Sequence, residues 1–145
     1  MNIKIRKATL ADSDQIFSLV EHFATSFNPS RIAFEHSFEH MMHDDSVLIN
    51  VAVLEDGTVG YCLAFDHYTF YANGRVTWVE EIMVREDLRV KGIGLDLMKS
   101  VEDWALNRES RLIGLATRRA APFYKAIGYE ESAVFFRKML EMNSE

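Results

Sequence analysis

Apolar and charged residues alternate through the first segment, IKIRKA, with the two-residue period of a half-buried strand. The period then lengthens. Across LADSDQIFSLVEHFATSF, residues 10–27, Ile16, Leu19, Val20 and Phe23 fall at helical spacing, with Asp12 or Ser13 placed to cap the helix. Asn28-Pro29 ends that run. A second helix is predicted across SRIAFEHSFEHMMHDD, with Phe34, Phe38, Met41 and Met42 on its apolar face. SVLINVAVLEDGTVGYCLAFDHYTF reads as a hairpin, because two β-branched runs flank the turn Glu55-Asp56-Gly57. RVTWVEEIMV is apolar on both faces except at Glu80 and Glu81, so it is predicted to be a central strand. A long helix follows, striped by Ile93, Leu97, Met98, Val101, Trp104 and Ala105. RLIGLAT predicts a strand, APFYKAI a short helix stopped at Gly128, and SAVFFRKML a final strand. The order β-α-α-β-β-β-α-β-α-β belongs to the mixed α/β or α+β class, with strand-to-helix crossovers in its second half.

Length and composition narrow the classes of function. A chain of 145 residues without repeat or linker predicts one domain over residues 1–145, and 48% hydrophobic residues supply a core. The formal net charge of -6 argues against nucleic acid as partner, since that needs a basic face. It is compatible with a cationic small molecule. The single cysteine, Cys62, excludes an internal disulfide and a cysteine zinc cluster, and its apolar surroundings predict a buried, inert thiol. The first residues lack an apolar signal core and no apolar run is long enough to span a bilayer, so a cytoplasmic protein with no membrane partner is expected.

The chemistry concentrates where the central strand hands over to the long helix, at RVKGIGLDLM, residues 89–98. A helix start leaves backbone N–H groups without internal partners, and the dipole makes that end positive. Removing the Cβ at Gly92 and Gly94 lets a bulky anion reach those groups, while Arg89 and Lys91 add charge. The ligand this suits is a phosphate or pyrophosphate, although glycines at a turn also serve the turn alone. A Walker loop is excluded because GIGLDL lacks a Gly-Lys-Ser/Thr ending. The dinucleotide fingerprint is excluded because Leu97 stands where a small residue is needed.

RVKGIG fits the R/Q-x-x-G-x-G/A signature of the GCN5-related N-acetyltransferases, the GNAT superfamily, and resembles it in context as well. VEEIMVRED resembles the fourth strand of that family, and APFYKAIGYEES its second motif, a Phe-Tyr pair ahead of a Gly-aromatic pair. The resemblance covers Val76 to Leu140 and implies a mixed, mostly antiparallel central sheet flanked by about four helices and splayed between the fourth and fifth strands. It implies acetyl-CoA as co-substrate and an amine of a small molecule or peptide as acceptor. Carried over residue by residue, the N–H groups of Arg89, Val90, Lys91, Gly92, Ile93 and Gly94 would hold the CoA pyrophosphate. The backbone of Ile82, Met83 and Val84 would pair with the pantetheine arm. Thr117 replaces an Asn that the family often has seven residues before the motif Tyr, a departure at a pantetheine contact. Dimers are common in the family, which leaves a homodimer open.

Acyl transfer from a thioester to an amine sets three tasks. The ammonium must lose a proton, the carbonyl oxygen gains charge, and the departing thiolate, with an ordinary pKa of about 8.5, benefits from a proton. Tyr124 matches the family's general acid for the last task, although Phe123, Tyr124 and Ile127 also read as the buried face of a short helix. Glu80 and Glu81 are candidates for deprotonation, because adjacent carboxylates in an apolar strand need solvent or a partner. Alternation assigns them to opposite faces unless a bulge intervenes, and a salt bridge to Arg75 or Arg85 is the structural alternative. A backbone N–H near Met83 is a candidate for the oxyanion. His36, His40 and His43 share a helix face without a zinc motif, so a solvated face and no metal are expected. Two other classes compete with the enzyme: a non-catalytic acyl-CoA-binding or regulatory module of the same fold, and a nucleotide-binding protein of another kind.

Overall fold

The computed structural model describes residues 2–23 and 26–142, and their contacts group into two compact units, residues 1–115 and 116–145. The first unit holds a five-stranded sheet in the order β1-β2-β3-β4-β5, formed by Ile3–Lys7, Val47–Leu54, Gly57–Thr69, Gly74–Val84 and Ile113–Leu115. Neighbouring strands run antiparallel through β4, and β4 and β5 run parallel. This is the mixed, mostly antiparallel sheet that the resemblance implied. The β2–β3 hairpin turns at Glu55 and Asp56, where Glu55 takes φ 56 and Leu54 pairs with Gly57.

Strand alternation sends two sets of side chains to two helical neighbourhoods. Ile49, Val51, Tyr61 and Met83 cluster with Ile16 and Leu19 of α1, Ser13–Phe23, and Phe38 of α2, Arg31–Met42. Phe34, Met41 and Met42 pack against that cluster, as the helical spacing of α2 requires. Asn50 and Gly60 meet the long helix α3, Ile93–Asn107, instead: Asn50 Nδ2 donates to Ser100 Oγ at 3.0 Å. A Cβ on Gly60 would stand 3.0 Å from the Met83 carbonyl oxygen and 3.4 Å from Leu97 Cδ1, so glycine permits this close approach. Ile93, Leu97, Met98 and Val101 are fully buried, each contributing roughly 1.5–3 kcal/mol of hydrophobic stabilisation.

The caps explain the helix boundaries. Ser30 accepts from the Ala33 N–H at 3.2 Å and starts α2. Ahead of α1, a short turn at Leu10–Asp12 makes Thr9 the cap. Asp12 is drawn back onto the Thr9 N–H at 2.7 Å and onto the Arg6 guanidinium at 2.8 Å through each oxygen. The predicted run to residue 27 ends at Phe23, and its Ala24 and Thr25 lie outside the described residues.

The second unit contains α4, Ala121–Ala126, opened by Pro122 and followed by Gly128 at φ 102. The strand expected over residues 132–140 does not form; the segment is exposed and has no regular secondary structure. Its Val134, Phe135 and Phe136 have strand propensity, but propensity is context-dependent and does not by itself set a strand. Among the described residues, no helix is long and apolar enough to cross a membrane.

Candidate active site

One irregularity of β4 organises the site in the first unit. Trp78 pairs with Phe65 and Glu81 with Leu63, so three steps along β4 match two along β3. Glu80 is the extra residue of a bulge. The bulge resets the alternation that would have placed Glu80 and Glu81 on opposite faces. Glu81 joins Leu63, Tyr61 and Met83 on the face covered by α1 and α2. Glu80 is exposed, and its Oε2 accepts from Trp78 Nε1 at 3.1 Å.

Glu81 lines an apolar cavity of about 240 Å³ together with residues of α1, α2, β2 and β3. Its Oε1 accepts from the Tyr61 hydroxyl at 2.7 Å, the one hydrogen bond to this carboxylate among the described residues. Burial pushes the Glu81 pKa up from the ordinary carboxylate range, the Tyr61 hydrogen bond opposes that shift, and the Glu80 charge adds to it. Tyr61 is 2% exposed, and burial, with the adjacent Glu81 charge, pushes its phenol up so that it stays a donor. Among the described residues neither glutamate pairs with Arg75, Arg85 or another basic side chain: Arg85 pairs with Asp87 at 2.7 Å, and Arg75 donates to the Arg108 carbonyl at 3.1 Å. Tyr61 escaped the sequence reading, although the register Tyr61–Met83 beside Leu63–Glu81 places it one step along the same face.

On its other edge β4 is paired, within this unit, only near its middle. Its parallel register with β5 covers only Thr77–Val79, so within this unit Glu80 to Val84 have no described strand partner on that side. Ile82, Met83 and Val84 remain laddered to Cys62, Tyr61 and Gly60 on β3. Beyond the strand, Arg89 Nε donates to the Val84 carbonyl at 3.1 Å. Val90 is fully exposed at φ 57, a left-handed conformation that a β-branched residue rarely takes. Lys91 follows, and Gly92 caps α3 at φ 87 with nothing within 4 Å of where its Cβ would stand. Left-handed residues on either side of Lys91 belong to the backbone pattern of anion-binding concavities. The Asp96 N–H already bonds the Gly92 carbonyl at 3.0 Å, so the free donors of the first turn precede it, at Ile93, Gly94 and Leu95.

In the second unit, Thr117 Oγ1 accepts from the Ala120 N–H at 3.0 Å, ahead of α4. Tyr124 is 7% exposed and stands edge-on to Phe123 and Tyr129, with ring centroids 5.0 and 5.9 Å away. Burial raises its phenol pKa. Cys62 is fully buried on β3, and burial pushes its thiol up to about 11. His36, His40 and His43 line an open polar depression with Glu39, Asp44 and Asp45, and His43 Nδ1 lies 2.8 Å from the Glu39 carbonyl. Among the described residues, no group of three His, Cys, Asp or Glu side chains is placed to hold a metal ion.

A family model described as Acetyltransferase (GNAT) family matches residues 14–129. The chain is 34% identical over 77 residues to the thialysine N-epsilon-acetyltransferase of Bos taurus, a match spanning 50% of this chain and 45% of the bovine protein. The glucosamine-6-phosphate N-acetyltransferase of Arabidopsis thaliana superposes with a TM-score of 0.85 at 18% identity, covering 97% of this chain and 100% of that one. The aminoglycoside N-acetyltransferase AAC(6')-Iy, solved in complex with CoA, superposes with a TM-score of 0.83 at 19% identity, covering 96% of each chain.

Proposed function

Because the chain belongs to the GNAT family of acetyltransferases, we propose that it transfers the acetyl group of acetyl-CoA to a primary amine by direct attack in a ternary complex. The observation that carries this reading is β4. It delivers a half-buried carboxylate to an apolar cavity, leaves its far edge open from Glu80 to Val84 within its unit, and leads through residues 85–91 to a glycine-capped helix. The family match spans residues of both units, which supports one transferase domain over residues 1–145.

The co-substrate supplies an acetyl group activated as a thioester. The chain supplies everything else. The open space at Gly92 fits the approach of a pyrophosphate to the N–H groups of residues 90–94; the expected Arg89 N–H is taken by the Glu86 carbonyl at 3.4 Å, so Arg89, with Lys91, would add only charge. The backbone of Ile82, Met83 and Val84 offers hydrogen bonds to the pantetheine arm, and a backbone N–H near Met83 meets the carbonyl oxygen as it gains charge. The Thr117 hydroxyl, already accepting from Ala120, keeps its own proton to donate there. Glu81 holds the acceptor's ammonium end and takes one proton from it, freeing the nitrogen lone pair to attack, because burial gives that carboxylate more than ordinary basicity. Exposed Glu80 relays the proton to water. Tyr124, kept protonated by burial, donates to the departing sulfur, and the second proton that the nitrogen loses as the amide forms restores its phenol.

Thermal shifts with acetyl-CoA, ATP and NAD, followed by thiol release across amine classes, test this reading. Stabilisation by acetyl-CoA alone and release with at least one amine are expected. Stabilisation without release from any amine would favour the non-catalytic acyl-CoA module, and stabilisation by ATP or NAD instead would remove the coenzyme from the account.

A further inference from the structure

The cavity in front of Glu81 has a composition that selects among amines. Ile16 and Val20 of α1, Phe34 and Phe38 of α2, Ile49 of β2 and Leu63 of β3 give its wall a largely apolar character. Glu81 is the one ionisable carboxylate in that wall. Tyr61 occupies Oε1 of this carboxylate, and no described donor occupies Oε2, which is therefore available to one cationic N–H. The volume, about 240 Å³, is below the roughly 300–1,000 Å³ of pockets that enclose drug-sized ligands.

Resting on the acetyl-transfer reading above, we infer that the acceptor is a small primary amine with a single cationic end on an apolar body, such as an arylalkylamine. Its ammonium meets Glu81 Oε2, and its ring or alkyl chain lies against Phe34, Phe38 and Leu63. A polyamine or an aminoglycoside would bring further ammonium groups against a wall whose other polar side chains, Ser30, Ser37 and Tyr61, carry no negative charge to meet them, and an unpaired charge in such a site is costly. The exclusion is therefore built from the missing second carboxylate as much as from the apolar contact. Ser37 is exposed and also lines the cavity, which makes it a place to add that second carboxylate without disturbing the core.

The test compares phenethylamine, spermidine and kanamycin as acceptors in acetyl-CoA thiol release, in the wild type and in Ser37→Asp. The expected result is a kcat/KM for phenethylamine at least about tenfold above the other two, the scale on which apolar pockets discriminate. In Ser37→Asp that ratio should fall, with spermidine gaining. A wild type that prefers spermidine or kanamycin, or a Ser37→Asp ratio unchanged in a folded protein, overturns the inference while leaving acetyl transfer standing. No release with any amine, in a protein that acetyl-CoA still stabilises, overturns the transfer reading and this inference with it.

Discussion

At the scale of single residues, Glu81 acts in the proposed mechanism only as the carboxylate, and its burial favours the acid. Burial raises its folded-state pKa above that of the unfolded chain. Folding therefore takes up a proton, and the stability linked to Glu81 is full below the ordinary glutamate value of about 4.3 and is lost as pH rises through the folded value. Activity runs the other way, since the ionised form is the one that holds ammonium and accepts a proton. The acid limb of kcat/KM should have its midpoint above the ordinary glutamate value. Glu81→Gln keeps the Tyr61 hydrogen bond, removes that limb and lowers turnover by roughly 10²–10⁴-fold, while leaving the melting temperature at pH 7 unchanged or higher. A limb that survives in Glu81→Gln belongs to another group. Tyr124→Phe should likewise lower turnover roughly 10²–10⁴-fold in a folded protein, and unchanged steady-state rates with a competent amine would leave Tyr124 as packing against Phe123 and Tyr129. Both candidates were visible in the sequence, Glu80 and Glu81 as charges in an apolar strand and Tyr124 as a motif position. Tyr61 was not, because a tyrosine in a strand has no mark for the partner that strand register will give it.

Elements position these residues, and the hand-over from β4 to α3 is the one most exposed to test. Gly92 sits at φ 87 with open space around its missing Cβ, so a side chain there strains the backbone without colliding with the protein. The strain of a left-handed residue is roughly 1–2 kcal/mol. Gly92→Val should therefore lower the melting temperature modestly and weaken CoA binding by about tenfold or more, equivalent to about 1.4 kcal/mol. Gly92→Asn separates the two effects, since asparagine tolerates positive φ yet still places a side chain in the anion's approach. Calorimetry that finds equal CoA affinity in both variants removes the pyrophosphate from this helix start. The glycines, the Pro29 break and the Glu55–Gly57 turn are local signals, and they were legible because each acts on its own backbone, whereas the expected cap at Asp12 or Ser13 gave way to Thr9 once a short turn at Leu10–Asp12 preceded the helix. The bulge at Glu80 was not, since one inserted residue leaves the apolar pattern of VTWVEEIMV intact while changing which face each carboxylate takes. The unformed strand over residues 132–140 has the same origin, because a pairing partner is a property of another segment.

Across the first unit as a whole, the connection least visible in the sequence is the pair Asp66–Arg108, 42 residues apart. Asp66 lies within β3 with its side chain 1% exposed, and Arg108 caps the C-terminal end of α3. The guanidinium meets the carboxylate through both Nε and Nη2, the latter to Oδ1 at 3.1 Å, and this pairing raises the Arg108 pKa further. Arg108 also stacks over Trp104 at 5.2 Å from the ring centroid. No periodicity couples these positions. Folding does so by laying α3 along the strand that carries Asp66. Arg108→Met preserves much of the side-chain bulk but leaves a buried carboxylate without its partner, which costs about 3–5 kcal/mol. The Cys62 thiol provides the readout. With no exposed surface and a pKa pushed up to about 11, it should resist aromatic disulfide reagents at pH 8 until the unit opens. In the wild type, labelling should follow the denaturant transition, and in Arg108→Met that transition should move to lower denaturant by the amount the lost stability requires. The double variant Asp66→Asn with Arg108→Met removes the orphaned charge and should recover part of the loss. If Arg108→Met unfolds at the wild-type midpoint, the ion pair contributes nothing net, and the seating of α3 rests on its buried apolar side chains, Ile93, Leu97, Met98, Val101 and Ala105, instead.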